Sequence, residues 1–362
     1  MAALVSDDVW SERDTRPEAI EAALRGLLRE RHAANHGLAP ARVLNLVVVV
    51  DREWKGEIAN RLARVGRYHA SRTVLCAVQE SREALDARVV MSYEDPAAGL
   101  GVIHEQIEID LGPQHLSGLE TIVDPVLASE LPTMLWSPHG HEEAVRALGG
   151  VLDVMLIDSD EELEPAGALT HAVELLRSVY VVDLAWLRTT PWRERLAASF
   201  DLPERLAALD RISGIEIRHR VGSTVSALLL AGWLASRLRW QAEPLRSSNG
   251  AGMCGGAAHA GRREGGLVGT QVGVEIHPTD QEAPGLAGVT ISCASGFSLS
   301  LDRTPGGLCA RERSPSGEER TWQVLGASRG EGGILGEGVR QALLRDPTYG
   351  PALDAAHGFS PG

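Results

Sequence analysis

The first regular pattern along the chain is a helix. Thr15-Arg-Pro-Glu18 has the form of a capping box, and Ile20, Leu24, Leu27 and Leu28 recur on one face. It ends near Asn35-His-Gly37, a helix-stop signal. Residues 43–50 (VLNLVVVV) are a nearly unbroken β-branched and aliphatic run, the pattern of a strand buried on both faces. Helical spacing returns over residues 53–65, with Ile58, Leu62 and Val65 on one stripe. Strands are predicted at 73–78, 88–93, 101–109, 133–136 and 151–157, and helices at 115–127 and 142–148. Helix and strand thus alternate, with a strand pair inserted in the middle, which predicts an open α/β sheet of mixed direction.

Beyond Asp158 the pattern turns helical, over 166–179 and then 190–200. In the second of these, Pro191 takes the first helical position, and Trp192, Leu196 and Phe200 follow at i, i+4 and i+8. Residues 214–218 predict a short strand. Residues 223–238 are apolar around most of the helical circumference and predict a helix central to a second domain. Residues 241–270 hold eight glycines in thirty residues, which predicts a mobile insertion with little core. Strands at 271–277, 289–293 and 297–302, joined by turns, predict a small antiparallel sheet. A glycine-rich loop over 326–338, a helix over 339–344, and a docked turn with a free tail complete the expectation. The fold class is therefore α/β: an N-terminal helix (1–38), an open mixed-sheet α/β domain (39–182) and an α+β domain (183–362).

The length of 362 residues supports this division, because a single core seldom grows so large. A formal net charge of −14 repels phosphate backbones and anionic bilayers, so neither nucleic acid nor membrane is an expected partner. The opening MAALVSDDVW has neither the basic region nor the apolar run of a secretory signal. The longest apolar run, 225–235, falls short of the roughly 18–20 residues of a membrane span, and a cytoplasmic location is expected. Four cysteines without a C-x-x-C pair suit reduced thiols. Eight Trp against three Phe and four Tyr is an unusual balance, and Trp is enriched at interfaces.

Signatures of catalysis are missing from the sequence. After the first strand of the α/β domain comes Asp51-Arg-Glu-Trp-Lys in place of a G-x-G-x-x-G turn, and neither a P-loop nor a G-x-S-x-G elbow is present. No catalytic residue, cofactor or metal is expected, and the chain reads as a binding protein rather than an enzyme. Three constellations bear on this. His139-Gly-His141-Glu142 has two imidazoles that share a metal if they lie on a strand or tight turn; at the opening of a helix, capping or surface histidines are the preferred reading. Asp158-Ser-Asp160-Glu161-Glu162 reads as a helix N-terminal cap before it reads as an ion site. His69-Ala-Ser71-Arg72 lies at the amino end of its strand, away from the usual ligand side of an α/β sheet, which favours a structural role or a contact with another chain. By the same rule Asp51, Trp136, Ser137 and Asp158 converge on one crevice if their strands are parallel.

Four segments carry a resemblance: HASR at 69–72, LPTMLWSP at 131–138, DLAWLRTTPWRE at 183–194 and AGWLASRL at 231–238. In order and spacing they resemble the glucose-6-phosphate dehydrogenase assembly protein (OpcA) family, the third being the most specific. The resemblance implies a bacterial cytosolic protein that binds glucose-6-phosphate dehydrogenase, promotes its active oligomer and raises its affinity for substrate. It would thereby support NADPH supply by the oxidative pentose phosphate pathway. Cyanobacterial relatives tie this activation to thioredoxin through cysteines; here Cys293 and Cys309 meet only if they lie on adjacent strands. Trp and Arg dominate interface hot spots, so the partner-contact candidates are His69, Ser71, Arg72, Trp136, Trp186, Arg188, Arg193 and Arg195. Trp192 belongs to a core stripe. The alternative is an enzyme or sensor that holds a sugar phosphate in the crevice near Asp51, Trp136 and Asp158.

Overall fold

The computed structural model describes residues 8–34, 42–66, 71–94, 102–247, 252–259, 271–325 and 330–361. The chain divides into two compact units, one of residues 1–157 and 179–182, the other of 158–178 and 183–362. The chain leaves the first unit after Ile157 and returns for one strand. The helix between, expected within the α/β domain, belongs to the second unit.

The first unit runs β1 (Asp8–Glu12), α1 (Pro17–Ala34), β2 (Leu44–Asp51), α2 (Lys55–Gly66), β3 (Ser71–Val78), β4 (Asp86–Glu94), β5 (Val102–Leu111), α3 (Leu119–Val123), β6 (Thr133–Trp136), α4 (Glu142–Ala147) and β7 (Val154–Ile157). After α5 (Pro165–Leu176) of the second unit, β8 (Tyr180–Asp183) closes the sheet. Strand order is β1-β4-β5-β3-β2-β6-β7-β8. The five strands from β5 to β7 run parallel, while β4 and β1 are antiparallel additions at one side. Every residue of β2 from Leu44 to Val50 is buried, as the nearly unbroken apolar run requires in a central parallel strand, and the Asn45 side-chain amide donates to the Ala128 and Leu131 carbonyls. β1 and β8 escape periodicity because they are short. Residues 115–127, expected as one helix, are instead the end of a 3-10 turn (Pro113–Gly118), the short helix α3 and a second 3-10 turn (Asp124–Val126), where Pro125 has no amide to continue the ladder.

The second unit continues with α6 (Leu184–Arg188), α7 (Thr190–Phe200), α8 (Pro203–Leu209), β9 (Ile212–Arg220), α9 (Thr224–Leu238), β10 (Trp240–Ala242), β11 (Arg246–Ser247), β12 (Met253–His259), β13 (Gln271–Thr279), β14 (Leu286–Cys293), β15 (Ser298–Thr304), β16 (Gly307–Arg313), β17 (Glu319–Leu325), α10 (Gly330–Gln341) and α11 (Tyr349–Phe359). Its sheet has nine strands, larger than the small antiparallel one expected, and β9 and β13 are a parallel pair within it. Strand β13 buries Val272, Val274 and Ile276 and exposes Gln271, Gly273 and Glu275, so one face makes core and the other stays polar.

Three expectations are corrected here. The glycine-rich stretch 241–270 contributes β10, β11 and β12 to the sheet; the remainder of that expectation, at 248–251 and 260–270, lies outside the described residues. Residues 330–338, expected as loop, are helical in α10. The expected tail is helix α11, with Phe359 fully buried. α11 lies against α9 at Gly232, where a Cβ would stand 2.2 Å from the Ala352 carbonyl oxygen. This close approach accounts for the glycine in AGWLASRL. Among the described residues, no helix is long and apolar enough to cross a membrane.

Candidate functional site

The segment DLAWLRTTPWRE organises the second unit around buried charge. Asp183 caps α6, with Oδ1 accepting the Ala185 amide at 2.9 Å. The same carboxyl accepts the Ser159 amide at 3.2 Å, the Ser159 hydroxyl at 2.5 Å and the Tyr349 hydroxyl at 3.0 Å. Burial pushes its pKa up to about 6, against the pull of those donors. Arg188 binds Asp158 bidentately, Nη1 to Oδ1 at 2.7 Å and Nη2 to Oδ2 at 2.6 Å. Asp160 accepts the amide and hydroxyl of Ser226 in the first turn of α9, at 3.0 and 2.5 Å. Burial raises its pKa to about 7. Of the acidic run after β7, Asp160 serves the first turn of α9 and Asp158 pairs with Arg188, while the α5 cap residue Glu164 makes no side-chain cap bond.

The two signature tryptophans are core. Trp192 is fully buried with Leu196 and Phe200 on the expected stripe. Trp186 donates its indole N–H to Asp346 at 2.9 Å and packs on Tyr349 at 5.6 Å between ring centres. The Arg193 guanidinium lies 3.6 Å from the Trp186 ring centre and donates to Thr189 and Thr190. Burial lowers its pKa to about 10. Asp346 follows the helix expected over 339–344 and Tyr349 opens the expected docked turn and tail, so periodicity carries no sign of them.

The remaining contact candidates occupy unlike positions. His69 lies outside the described residues. Ser71 and Arg72 are buried in β3, and Arg72 donates to Glu105 at 2.7 Å and to the Val126 carbonyl at 2.9 Å. Trp136 is buried in β6, and Trp186 and Arg188 are buried as described. Arg193 is half-buried, leaving Arg195 on α7 as the one exposed side chain among the described candidates.

The crevice imagined from Asp51, Trp136, Ser137 and Asp158 takes a different form. Asp158 belongs to the second unit and is held by Arg188, and Trp136 is 5% exposed. Asp51 and Ser137 follow neighbouring strands, because β2 and β6 run parallel with Val48 opposite Trp136, but it is His139 and His141 that Asp51 meets. Asp51 and Ser137 lie at the carboxyl ends of these strands. There the Asp51 amide donates to His139 Nδ1 at 3.0 Å, and His141 Nε2 lies 3.2 Å from Asp51 Oδ1. Burial lowers the His141 pKa, against the opposing pull of Asp51. A separate trough of about 1070 Å³ runs beside α2, lined by Arg13, Arg52, Lys55, Arg82, Glu108 and Asp110 among others. Its cations face acids: Lys55 bonds Asp110 at 2.8 Å and Glu108 at 3.0 Å, and Arg82 bonds Asp86 at 2.6 Å. Such internal matching leaves little positive field for a phosphate.

All four cysteines are free thiols. Cys293 on β14 and Cys309 on β16 are separated by β15, so the adjacent-strand condition for their meeting is not satisfied. Burial pushes the Cys76 thiol up to about 12 and that of Cys293 to about 11.

Two family models match the chain, described as the glucose-6-phosphate dehydrogenase subunit N-terminal domain, over residues 62–174, and C-terminal domain, over 179–353. A relative in Nostoc punctiforme, named for the OxPP cycle as OpcA, is 33% identical over 133 residues. That match covers 36% of this chain and 29% of the relative. One of the same name in Synechococcus elongatus is 30% identical over 139 residues, 37% of this chain and 31% of that one. The matched region thus spans about three tenths of the length of these relatives. A solved glucose-6-phosphate dehydrogenase in complex with glucose-6-phosphate aligns over 88% of this chain and 91% of that one, with a TM-score of 0.50 and 11% identity, a likeness of fold. With both domain models matched in order along the sequence, the chain belongs to the OpcA family.

Proposed function

We propose that this protein is a non-catalytic partner of glucose-6-phosphate dehydrogenase, acting in the cytoplasm, that favours the dehydrogenase's active oligomer. The match of both family domains carries this reading. Activation of this kind requires only that the active state of the enzyme be bound more tightly than the inactive one. A coupling of about 1–3 kcal/mol shifts such an equilibrium by roughly 5–150-fold. The effect would be a greater supply of NADPH at low glucose 6-phosphate. Buried signature residues fit a role in building the binding unit, with contacts made by exposed residues such as Arg195 on α7.

Dehydrogenase activity at sub-saturating glucose 6-phosphate, with and without this protein, tests the reading. The expected result is a rise in apparent substrate affinity together with co-elution of the two proteins. Unchanged kinetics and separate elution with the enzyme from the same genome would reject it. Unchanged kinetics with co-elution would reduce the protein to a scaffold.

A further inference from the structure

We infer that Asp51, His139 and His141 form a binding site for a divalent first-row transition metal, with zinc the best match to the ligand set. Among the described residues these are the one group of three metal-ligating side chains whose ligand atoms converge, all within 4.8 Å of one another. Two imidazoles and a carboxylate are a familiar zinc set, and three protein ligands leave a further position for water or another ligand.

The backbone builds this arrangement from two neighbouring strand ends. Past the paired Val48 and Trp136, both chains leave the sheet side by side, which brings Asp51 level with His139. The chain then turns. The Gly140 amide donates to the Ser137 carbonyl at 3.3 Å, the His141 amide donates to the Ser137 hydroxyl at 3.2 Å, and Gly140 sits at φ +71°. This tight turn, open to glycine at that φ, returns His141 to the carboxylate that His139 already faces. The His139 ring is steadied by Trp54, 5.9 Å away between centres.

The distances suit an ion. A tetrahedral zinc with bonds of about 2.0–2.1 Å sets its donors roughly 3.3 Å apart. His141 Nε2 lies 3.2 Å from Asp51 Oδ1, and His139 Nδ1 lies 3.6 Å from Oδ2. His141 Nε2 is buried, and its approach to Oδ1 does not meet hydrogen-bond geometry, so a polar atom is held at the cluster without a full bond. Coordination by His139 Nδ1 would exchange the bond from the Asp51 amide, a loss of roughly two- to tenfold in affinity. Three coordinate bonds to a divalent ion outweigh the loss of one neutral hydrogen bond. The ion would tie the end of β2 to the turn before α4 within the first unit.

The full chain, stripped with a chelator, is titrated with zinc chloride in competition with a chromophoric chelator. One tight site is expected, with a rise in melting temperature on loading. Asp51→Asn and His141→Ala should each weaken zinc binding by at least roughly tenfold. His171→Ala, which removes an exposed histidine paired with Glu162, should leave it unchanged. Circular dichroism establishes that each variant is folded. Cobalt(II) chloride gives a readout that needs no variant: intense visible bands of a four- or five-coordinate ion are expected. Zinc affinity indifferent to both ligand substitutions, or a cobalt spectrum like that of the aqueous ion, would overturn the site.

Discussion

Arg188 and Asp158 form a two-pronged ion pair in the second unit, with side chains 7% and 6% exposed and both oxygens engaged at 2.6–2.7 Å. The pair ties the signature segment to the acidic run that follows the last strand before the crossing between units. Removing one partner from such a pair strands the other without water. Arg188→Met should therefore destabilise the chain by about 3–5 kcal/mol. Arg188→Lys should recover only part of this, since an ammonium lacks the planar fork. Urea denaturation followed by tryptophan fluorescence checks both. A loss for Arg188→Met within about 0.5 kcal/mol would mean that the pair contributes nothing net.

The buried carboxyls predict how stability varies with pH. Asp183 titrates at about 6 and Asp160 at about 7 in the folded chain, against about 3.9 for an unfolded Asp. The folded state therefore holds these protons more tightly than the unfolded state. Their contribution to stability is complete below about pH 4, and declines as pH rises through about 6 and then about 7. Above that it is level. The unfolding free energy from urea titrations should accordingly fall between about pH 4 and 7, by up to about 1.4 kcal/mol per pH unit for each group. Asp160→Asn should flatten the upper part of this range; an unchanged slope in that variant would assign the dependence elsewhere.

Gly232 sets the spacing of α9 and α11. A methyl group there meets the Ala352 carbonyl at 2.2 Å and the Ala356 amide nitrogen at 2.6 Å, both backbone atoms. Gly232→Ala should cost about 1–3 kcal/mol by overpacking, although alanine is the better helix former. A thermal melt that rises instead of falling would show that the two helices separate without penalty.

Arg195 separates binding from folding. It is exposed on α7, unlike the buried signature residues beside it. Arg195→Glu should change stability by no more than about 0.5 kcal/mol while weakening co-elution with the dehydrogenase. If binding is also unchanged, the contact surface lies off this part of α7.

Oxidation should not cross-link Cys293 to Cys309, because a strand separates them. Mass spectrometry after treatment with a mild oxidant checks this. A recovered Cys293–Cys309 peptide would require the sheet to open.

The long elements were legible before the structure because each repeats one physical rule. β2 is apolar from Leu44 to Val50 but for Asn45 and is buried over that span, and Trp192, Leu196 and Phe200 recur at helical spacing and are all buried. Short or glycine-rich elements were not. β10 to β12 owe their conformation to pairing with a neighbour, and α10 and α11 carry glycines that weaken local helix preference until α6 and α9 cover them. Most of the described contact candidates are buried: Trp and Arg mark interfaces and also mark buried networks, and a sequence does not say which.

The family and the α/β class were legible in the chain itself, since both rest on local spacing and ordered motifs. Which contacts those motifs make depends on tertiary structure. Asp346 and Tyr349 reach Trp186 and Asp183 across more than 150 positions, and Asp51 meets His139 and His141 only because two distant strands lie parallel and in register. Such meetings depend on chain pairing and burial, which local periodicity does not encode.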